Sequence, residues 1–242
     1  MCTTCGCGQT DSTIKIVEIN TPSVKFQSGK TVLQIEQDIL GKNNLYAEKN
    51  REFFQKNHIL AINLVSSPGS GKTAILEQTL QYMKGRIPCF VIEGDQQTCN
   101  DADRIAVTGA PVIQINTGKG CHLEANMVHH ALEKLQPVEH SIVFIENVGN
   151  LVCPAMFDLG EGARVVMVSV TEGDDKPLKY PDMFHSSQLC IINKMDLLPY
   201  VDFDVEKVKE YARRVSHITE FIEISAKTGK GMSQWYQWLK TH

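Results

Sequence analysis

Three groups of residues in this 242-residue chain have the types and spacing to do chemistry. The first is SSPGSGKT at 66–73, which fits a phosphate-binding loop. Gly69 and Gly71 let the backbone amides around Ser70 turn inward on a phosphate, Lys72 can reach the β and γ oxygens, and the Thr73 hydroxyl suits Mg²⁺. The general pattern opens with Gly where this chain has Ser66. The second group is MCTTCGCG, which crowds Cys2, Cys5 and Cys7 into one short run. That run suits a metal claw, a redox pair or part of an iron–sulfur site, and no fourth ligand lies nearby. The third is the adjacent pair Cys121 and His122 with a distant thiol at Cys153. Thiolate and imidazole bind Zn²⁺ or Ni²⁺ well, and three ligands leave a fourth position for water, an exchanging partner or a second subunit. The bland alternative is inert core cysteine.

Downstream residues point to the base. NKMD at 193–196 follows an apolar run. There Asp196 can accept hydrogen bonds from the N1–H and exocyclic amine of guanine, Asn193 can brace the loops, and the Lys194 stem can pack on the base. EISAKTG at 223–229 then places Ser225, Ala226 and Lys227 where a backbone amide can meet guanine O6. Three motifs in this order favour GTP over ATP. Two acidic strand ends, Asp95 and Glu146, suit Mg²⁺ or the attacking water, and the Gly149 amide can sense a γ-phosphate. Lys72, Asp95 and Glu146 are therefore the catalytic candidates. A second SGKT at 28–31 has no buried strand before it and reads as a turn and helix cap.

These residues need a frame, and the sequence describes one. From His58 onward, ILAINLV, CFVIEG, PVIQIN, SIVFIEN, RVVMVSV, QLCIINK and FIEIS alternate with amphipathic segments. Runs that are apolar throughout indicate strands buried on both faces, so the expected class is α/β, a doubly wound and mainly parallel sheet. In HLEANMVHHALEKL, Leu123, Met127, Ala131 and Leu135 share one helical face. Residues 32–57 read as one or two amphipathic helices through Val32, Ile35, Ile39, Leu40, Tyr46, Phe53 and Phe54. Residues 1–31 are polar and read as a flexible arm, with IKIVEI as a short edge strand. The expected organisation is an arm at 1–31, a helical extension at 32–57 and a nucleotide domain at 58–242.

Composition excludes several classes. A net charge of −4 with no basic block gives nucleic acid nothing to follow. No apolar run approaches the ~20 residues of a membrane span. No secretory signal is recognisable, so a cytoplasmic setting is expected and the eight cysteines are read as ligands, reactive thiols or core rather than disulfides. Cys89 and Cys190 lie inside apolar strands and read as core, Cys99 is ambiguous, and His129 and His130 read as solvated or capping.

Taken together, SSPGSGKT, VIEGDQQT, NTGKGCHLEA, ENVGNLVCPA, VTEGDDKPLKYP and NKMDLLPY resemble the hydrogenase nickel-incorporation GTPases, the HypB family, over nearly all of the chain from about residue 58. MCTTCGCG resembles the N-terminal motif of a subset of that family. The resemblance implies a P-loop GTPase of the SIMIBI class, with the signal-recognition and MinD-like proteins, that forms a nucleotide- or metal-dependent homodimer. It implies slow conversion of GTP to GDP coupled to nickel delivery to the large-subunit precursor complex of nickel–iron hydrogenase, with the small zinc protein HypA as partner. It also implies metal ligands at Cys121, His122 and Cys153, for Ni²⁺ or Zn²⁺. Within that family the opening run becomes a three-thiolate nickel site, and the α-amino group of Cys2, if Met1 is removed, is a candidate fourth ligand in a square-planar arrangement. A urease-type nickel GTPase is the nearest alternative. A metal-storage or redox-sensing protein that uses nucleotide structurally is the alternative from another class.

Overall fold

The computed structural model describes residues 32–95, 100–118, 120–218 and 220–242. The run holding Cys2, Cys5 and Cys7, the IKIVEI segment, the second SGKT and Cys99 lie outside the described residues.

All seven apolar runs form strands: β1 (Leu60–Ser66), β2 (Cys89–Asp95), β3 (Val112–Asn116), β4 (Ile142–Glu146), β5 (Ala163–Ser169), β6 (Leu189–Asn193) and β7 (Glu220–Glu223). They pair in the order β3-β2-β4-β1-β5-β6-β7, every pair parallel. Because β1, β4, β5 and β6 are covered on both sides, they consist of apolar and β-branched residues with few polar interruptions. One face packs Leu64, Phe144 and Val165 against Ile75 and Leu76 of α2 (Lys72–Met83) and Trp235 of α8 (Met232–Thr241). Phe144 is wholly buried there, and its truncation to Ala would cost about 3–5 kcal/mol. The other face packs Ala61, Val143 and Ile145 against α1 (Val32–Lys56) and α4 (Ala125–Leu135), and Val166, Val168 and Ile192 against α6 (Pro181–His185) and α7 (Val205–Val215). The short helices α3 (Asn100–Val107) and α5 (Lys176–Lys179) complete the set. Among the described residues no helix is long and apolar enough to cross a membrane.

Two amphipathic faces differ from expectation. The 32–57 segment forms one helix, and Ile39, expected on its inner face, is exposed. The buried stripe is instead Asn43, Ala47, Asn50 and Phe54. Its asparagines face inward because they serve backbone groups. Asn43 Oδ1 accepts from the Ala125 amide (2.8 Å), and Asn50 Nδ2 donates to the carbonyls of Ala125 (2.9 Å) and Leu159 (3.0 Å). In α4 the buried positions are Ala125, Val128, Ala131 and Leu132, with Met127 and Leu135 only partly covered. Leu123 is fully buried but precedes the helix.

Candidate functional site

The phosphate loop connects β1 directly to α2. Gly71 takes φ 97° at the helix start, and a Cβ there would collide with the Asn193 side-chain amide. Ser66, in place of the usual Gly, has a defined part: its hydroxyl accepts from Lys72 Nζ at 2.9 Å and donates to the Ser67 carbonyl at 2.7 Å. The Ser70 hydroxyl closes the loop on the Ser67 carbonyl at 2.8 Å. Lys72 is buried, and that burial holds its ammonium below the ordinary lysine value, with Glu146 as the largest opposing influence.

A cavity of about 510 Å³ lies over this loop, lined by Gly69, Lys72, Thr73, Asp95, Glu146 and Gly149. The Thr73 hydroxyl donates to Glu146 Oε1 at 2.7 Å. Glu146 Oε2 is buried with no hydrogen-bond partner among the described residues, and burial pushes this carboxyl up. An unpartnered carboxylate oxygen beside a Thr hydroxyl and a phosphate loop fits a hard, oxygen-seeking cation such as Mg²⁺. Gly149 lies against the loop itself, since a Cβ on it would meet Pro68 Cα at 3.0 Å.

Three residues beside this cavity were not singled out from the sequence. Glu93, in register with Glu146 across β2 and β4, is buried, has no partner for Oε2 among the described residues, and is pushed up to about 8 by burial and then by Glu146. Asp101 and Arg104 of α3 also line the cavity. Arg104 is held from behind by Glu77 of α2 through Nη2 (2.6 Å) and Nε (3.1 Å).

A second cavity of about 500 Å³ shares Gly71 and Ala74 with the first and is lined further by Gln78, Asn193, Lys194, Asp196, Leu197, Ala226 and Lys227. Asn193 spans two loops: Nδ2 donates to the Ser70 carbonyl (2.8 Å) and Oδ1 accepts from the Ala226 amide (3.2 Å). The Ser225 hydroxyl donates to Asp196 Oδ1 at 2.6 Å. Lys194 sits at φ 61° and its Nζ reaches the Gly69 carbonyl at 2.7 Å. The two cavities together form a cleft with phosphate-type chemistry at one end and an acceptor for a base edge at the other.

The structure brings Cys121, His122 and Cys153 together although 32 residues separate the two cysteines. One ligand atom from each lies within 4.8 Å of the others. Cys121 Sγ donates to Cys153 Sγ at 2.7 Å, and both thiols are free. That contact, then burial, raises Cys121 above the ordinary thiol range. The His122 ring stacks on Phe157 with centroids 3.9 Å apart, and its buried Nε2 has no partner among the described residues. Burial lowers its pKa, which keeps the imidazole neutral and able to ligate. Two thiolates sharing one tetrahedral ion at ~2.3 Å each would stand roughly 3.8 Å apart, so the sulfurs need to separate by about 1 Å to hold it. By contrast, Cys190 is fully buried and Cys89 half-buried in strands, and desolvation pushes both thiols up to about 12. His129 and His130 contact Asn50 and Glu133 respectively.

The family described as CobW/HypB/UreG, nucleotide-binding domain, matches residues 60–223. The chain is 58% identical over 213 residues to the hydrogenase maturation factor HypB of Azotobacter vinelandii, covering 88% of this chain and 70% of that one. Among solved structures, HypB from Archaeoglobus fulgidus superimposes with TM-score 0.78 at 41% identity, over 83% of this chain and 98% of that one. HypB from Helicobacter pylori in complex with nickel gives 0.77 at 40% identity, over 83% and 94%. At the level of fold alone, the signal recognition particle 54 kDa protein from Aeropyrum pernix, 15% identical, matches with TM-score 0.50 over 69% of this chain and 41% of that one. With a family match across most of the chain and relatives this close, the protein belongs to the HypB family of hydrogenase maturation factors.

Proposed function

We propose that the protein binds and slowly hydrolyses GTP, and that its nucleotide state gates the capture and release of nickel during maturation of nickel–iron hydrogenase. The observation that carries this reading is a complete base-and-phosphate cleft joined to a compact Cys121–His122–Cys153 cluster by the segment 146–153, in which Cys153 lies four residues beyond Gly149. A relative solved in complex with nickel supports nickel as the cargo.

In this reading Asp196 and the loop of Ser225, Ala226 and Lys227 select guanine, with Asn193 and Lys194 holding that loop to the phosphate loop. The amides around Gly69, Ser70 and Gly71 cradle the β-phosphate, and Lys72 carries the β/γ charge. Thr73, Glu146 and Asp95 would hold Mg²⁺, which when bound neutralises charge on the transferred phosphoryl group. Gly149 meets the γ-phosphate, and its displacement on hydrolysis is relayed to the metal ligands. The triad takes nickel as cargo, or zinc as a competitor of similar ligand preference. Its vacant coordination position is filled by water, a HypA-type donor or a second copy of this chain in a homodimer. The hydrogenase large-subunit precursor complex is the acceptor, and Cys2, Cys5 and Cys7 form a separate nickel site.

The test is Ni²⁺ and Zn²⁺ binding by the full chain and by two triple variants, Cys2→Ser/Cys5→Ser/Cys7→Ser and Cys121→Ser/His122→Ala/Cys153→Ser. Each variant is expected to lose one site and keep the other. Loss of all binding in either one would defeat the two-site scheme. The direct Cys121–Cys153 contact also favours a second reading, a redox pair. Thiol counts that stay constant through GTP turnover and nickel exchange would exclude it.

A further inference from the structure

Two asparagines bracket Gly149, and both reach back to the backbone on either side of His122. Asn147 is 2% exposed. Its Oδ1 accepts from the Leu123 amide (3.2 Å) and the Val148 amide (3.0 Å), while its Nδ2 donates to Asn63 Oδ1 (3.3 Å) and its backbone amide to the Leu64 carbonyl (3.0 Å), which hold it to β1. Asn150, half-buried, donates from Nδ2 to the Cys121 carbonyl (3.3 Å), while its Oδ1 accepts from the Val152 amide (2.8 Å). The Cys121–His122–Leu123 backbone is thereby fastened at both ends to the segment that abuts the phosphate loop at Pro68.

The third ligand is anchored differently. Cys153 opens the 3-10 turn Cys153–Met156, and the far side of that turn is tied to the sheet by Arg164 of β5. Arg164 donates to the carbonyls of Ala155 (3.2 Å) and Phe157 (2.9 Å). Its charge is matched by Glu161, at 2.7 Å from Nη2 and 3.0 Å from Nε, and both side chains are 6% exposed. Glu161 also accepts from Asn63 of β1 at 3.0 Å. A buried, fully engaged ion pair of this kind is a rigid support, because releasing either partner leaves an uncompensated charge.

We propose that Asn150 is a positioning residue that carries nucleotide state to the metal ligands, with Asn147 as the fixed end of the clamp. When the segment 148–150 shifts with the γ-phosphate, Cys121 and His122 move with it about Leu123 while the Arg164-anchored turn holds Cys153 back. The separation of the two sulfurs, and with it the affinity for the ion, then depends on the nucleotide. This deepens the function proposed above and rests on it. It differs from simple chain continuity between Gly149 and Cys153 because it makes Cys121 and His122 the moving ligands.

The test uses the full chain carrying Cys2→Ser/Cys5→Ser/Cys7→Ser, so that Ni²⁺ reports only the triad. Affinity for Ni²⁺ is measured with GDP and with a β,γ-imido analogue of GTP, in this parent and in Asn150→Ala and Asn150→Asp. Asn150→Asp keeps the acceptor for Val152 and removes the donor to Cys121, so it separates the clamp from the local turn. The parent is expected to show an affinity ratio between the nucleotides of about fivefold or more, and both variants a ratio near one. Reciprocity requires the effect of Ni²⁺ on analogue affinity to shrink by the same factor. In the metal-free parent, alkylation of Cys121 and Cys153 should differ in rate between the two nucleotides, and this difference should vanish in both variants. A parent that discriminates together with variants that discriminate equally well would overturn the clamp and leave the proposed function standing. Rescue by Asn150→Asp would assign Asn150 to the turn and also overturn it. A parent with identical affinities would overturn the coupling itself, and the clamp with it.

Discussion

The base end of the cleft and the metal cluster are built on opposite principles. Around the base, the polar side chains are already bonded to one another: Asn193 spans Ser70 and Ala226, and Asp196 is held by Ser225. At the candidate metal cluster His122 Nε2 is buried with no partner among the described residues, and the two sulfurs lie 2.7 Å apart. Satisfied networks fix a geometry before the ligand arrives, whereas unsatisfied buried groups are completed by it. Under the proposed function, base recognition is preorganised and the metal site is left adjustable, as a site whose affinity must change during a cycle requires.

The phosphate region lies between these extremes and shows the largest expected effect. Lys72→Ala removes the buried ammonium over the loop, and the GTP hydrolysis rate should fall by ~10²–10³, the range for deleting a preorganised charge stabiliser. A rate within a factor of two of the parent would show that the cleft works in some other way. On the preorganised side, Asp196→Asn removes the acceptor for the base edge while preserving size. GTP affinity should drop by roughly 10², with xanthosine triphosphate binding better than GTP, because two hydrogen bonds to a charged group are lost and their donors left unpaired. Equal GTP affinity in the variant would mean the base lies elsewhere.

The adjustable side is sharpened by pH. Ligation requires thiolates, and the Cys121 thiol is raised by its contact with Cys153, so nickel displaces protons as it binds. His122 is lowered by burial and contributes no proton near neutrality. Affinity should therefore rise with pH between about 6 and 8, by up to about tenfold per unit for each thiol proton released. A flat profile for the triad in the variant lacking Cys2, Cys5 and Cys7 would show that the thiols are not the ligands.

The same contrast explains what the sequence made legible. The strands were plain because burial on both faces demands continuous apolar runs, and the base and phosphate motifs were plain because their residues are close in sequence. The inner face of α1 was not, since Asn43 and Asn50 count as polar in any periodicity and their role as caps for other segments is a tertiary fact. Ile39 fits an apolar stripe in sequence yet faces out. Asn63, Asn147, Glu161 and Arg164 read as interruptions of apolar stretches, although together they support the cluster from below. The proximity of Cys121 to Cys153 comes from strand order, because β4 lies between β1 and β2 and delivers the segment after Glu146 beside the one after β3.

Nucleotide-gated nickel transfer requires that the cleft and the cluster communicate. The most direct measurement is Ni²⁺ affinity of the full chain bearing Cys2→Ser/Cys5→Ser/Cys7→Ser, with GDP and then with the β,γ-imido analogue of GTP. Affinities differing by about fivefold or more are predicted. Identical affinities, with both nucleotides bound at saturation, would contradict it.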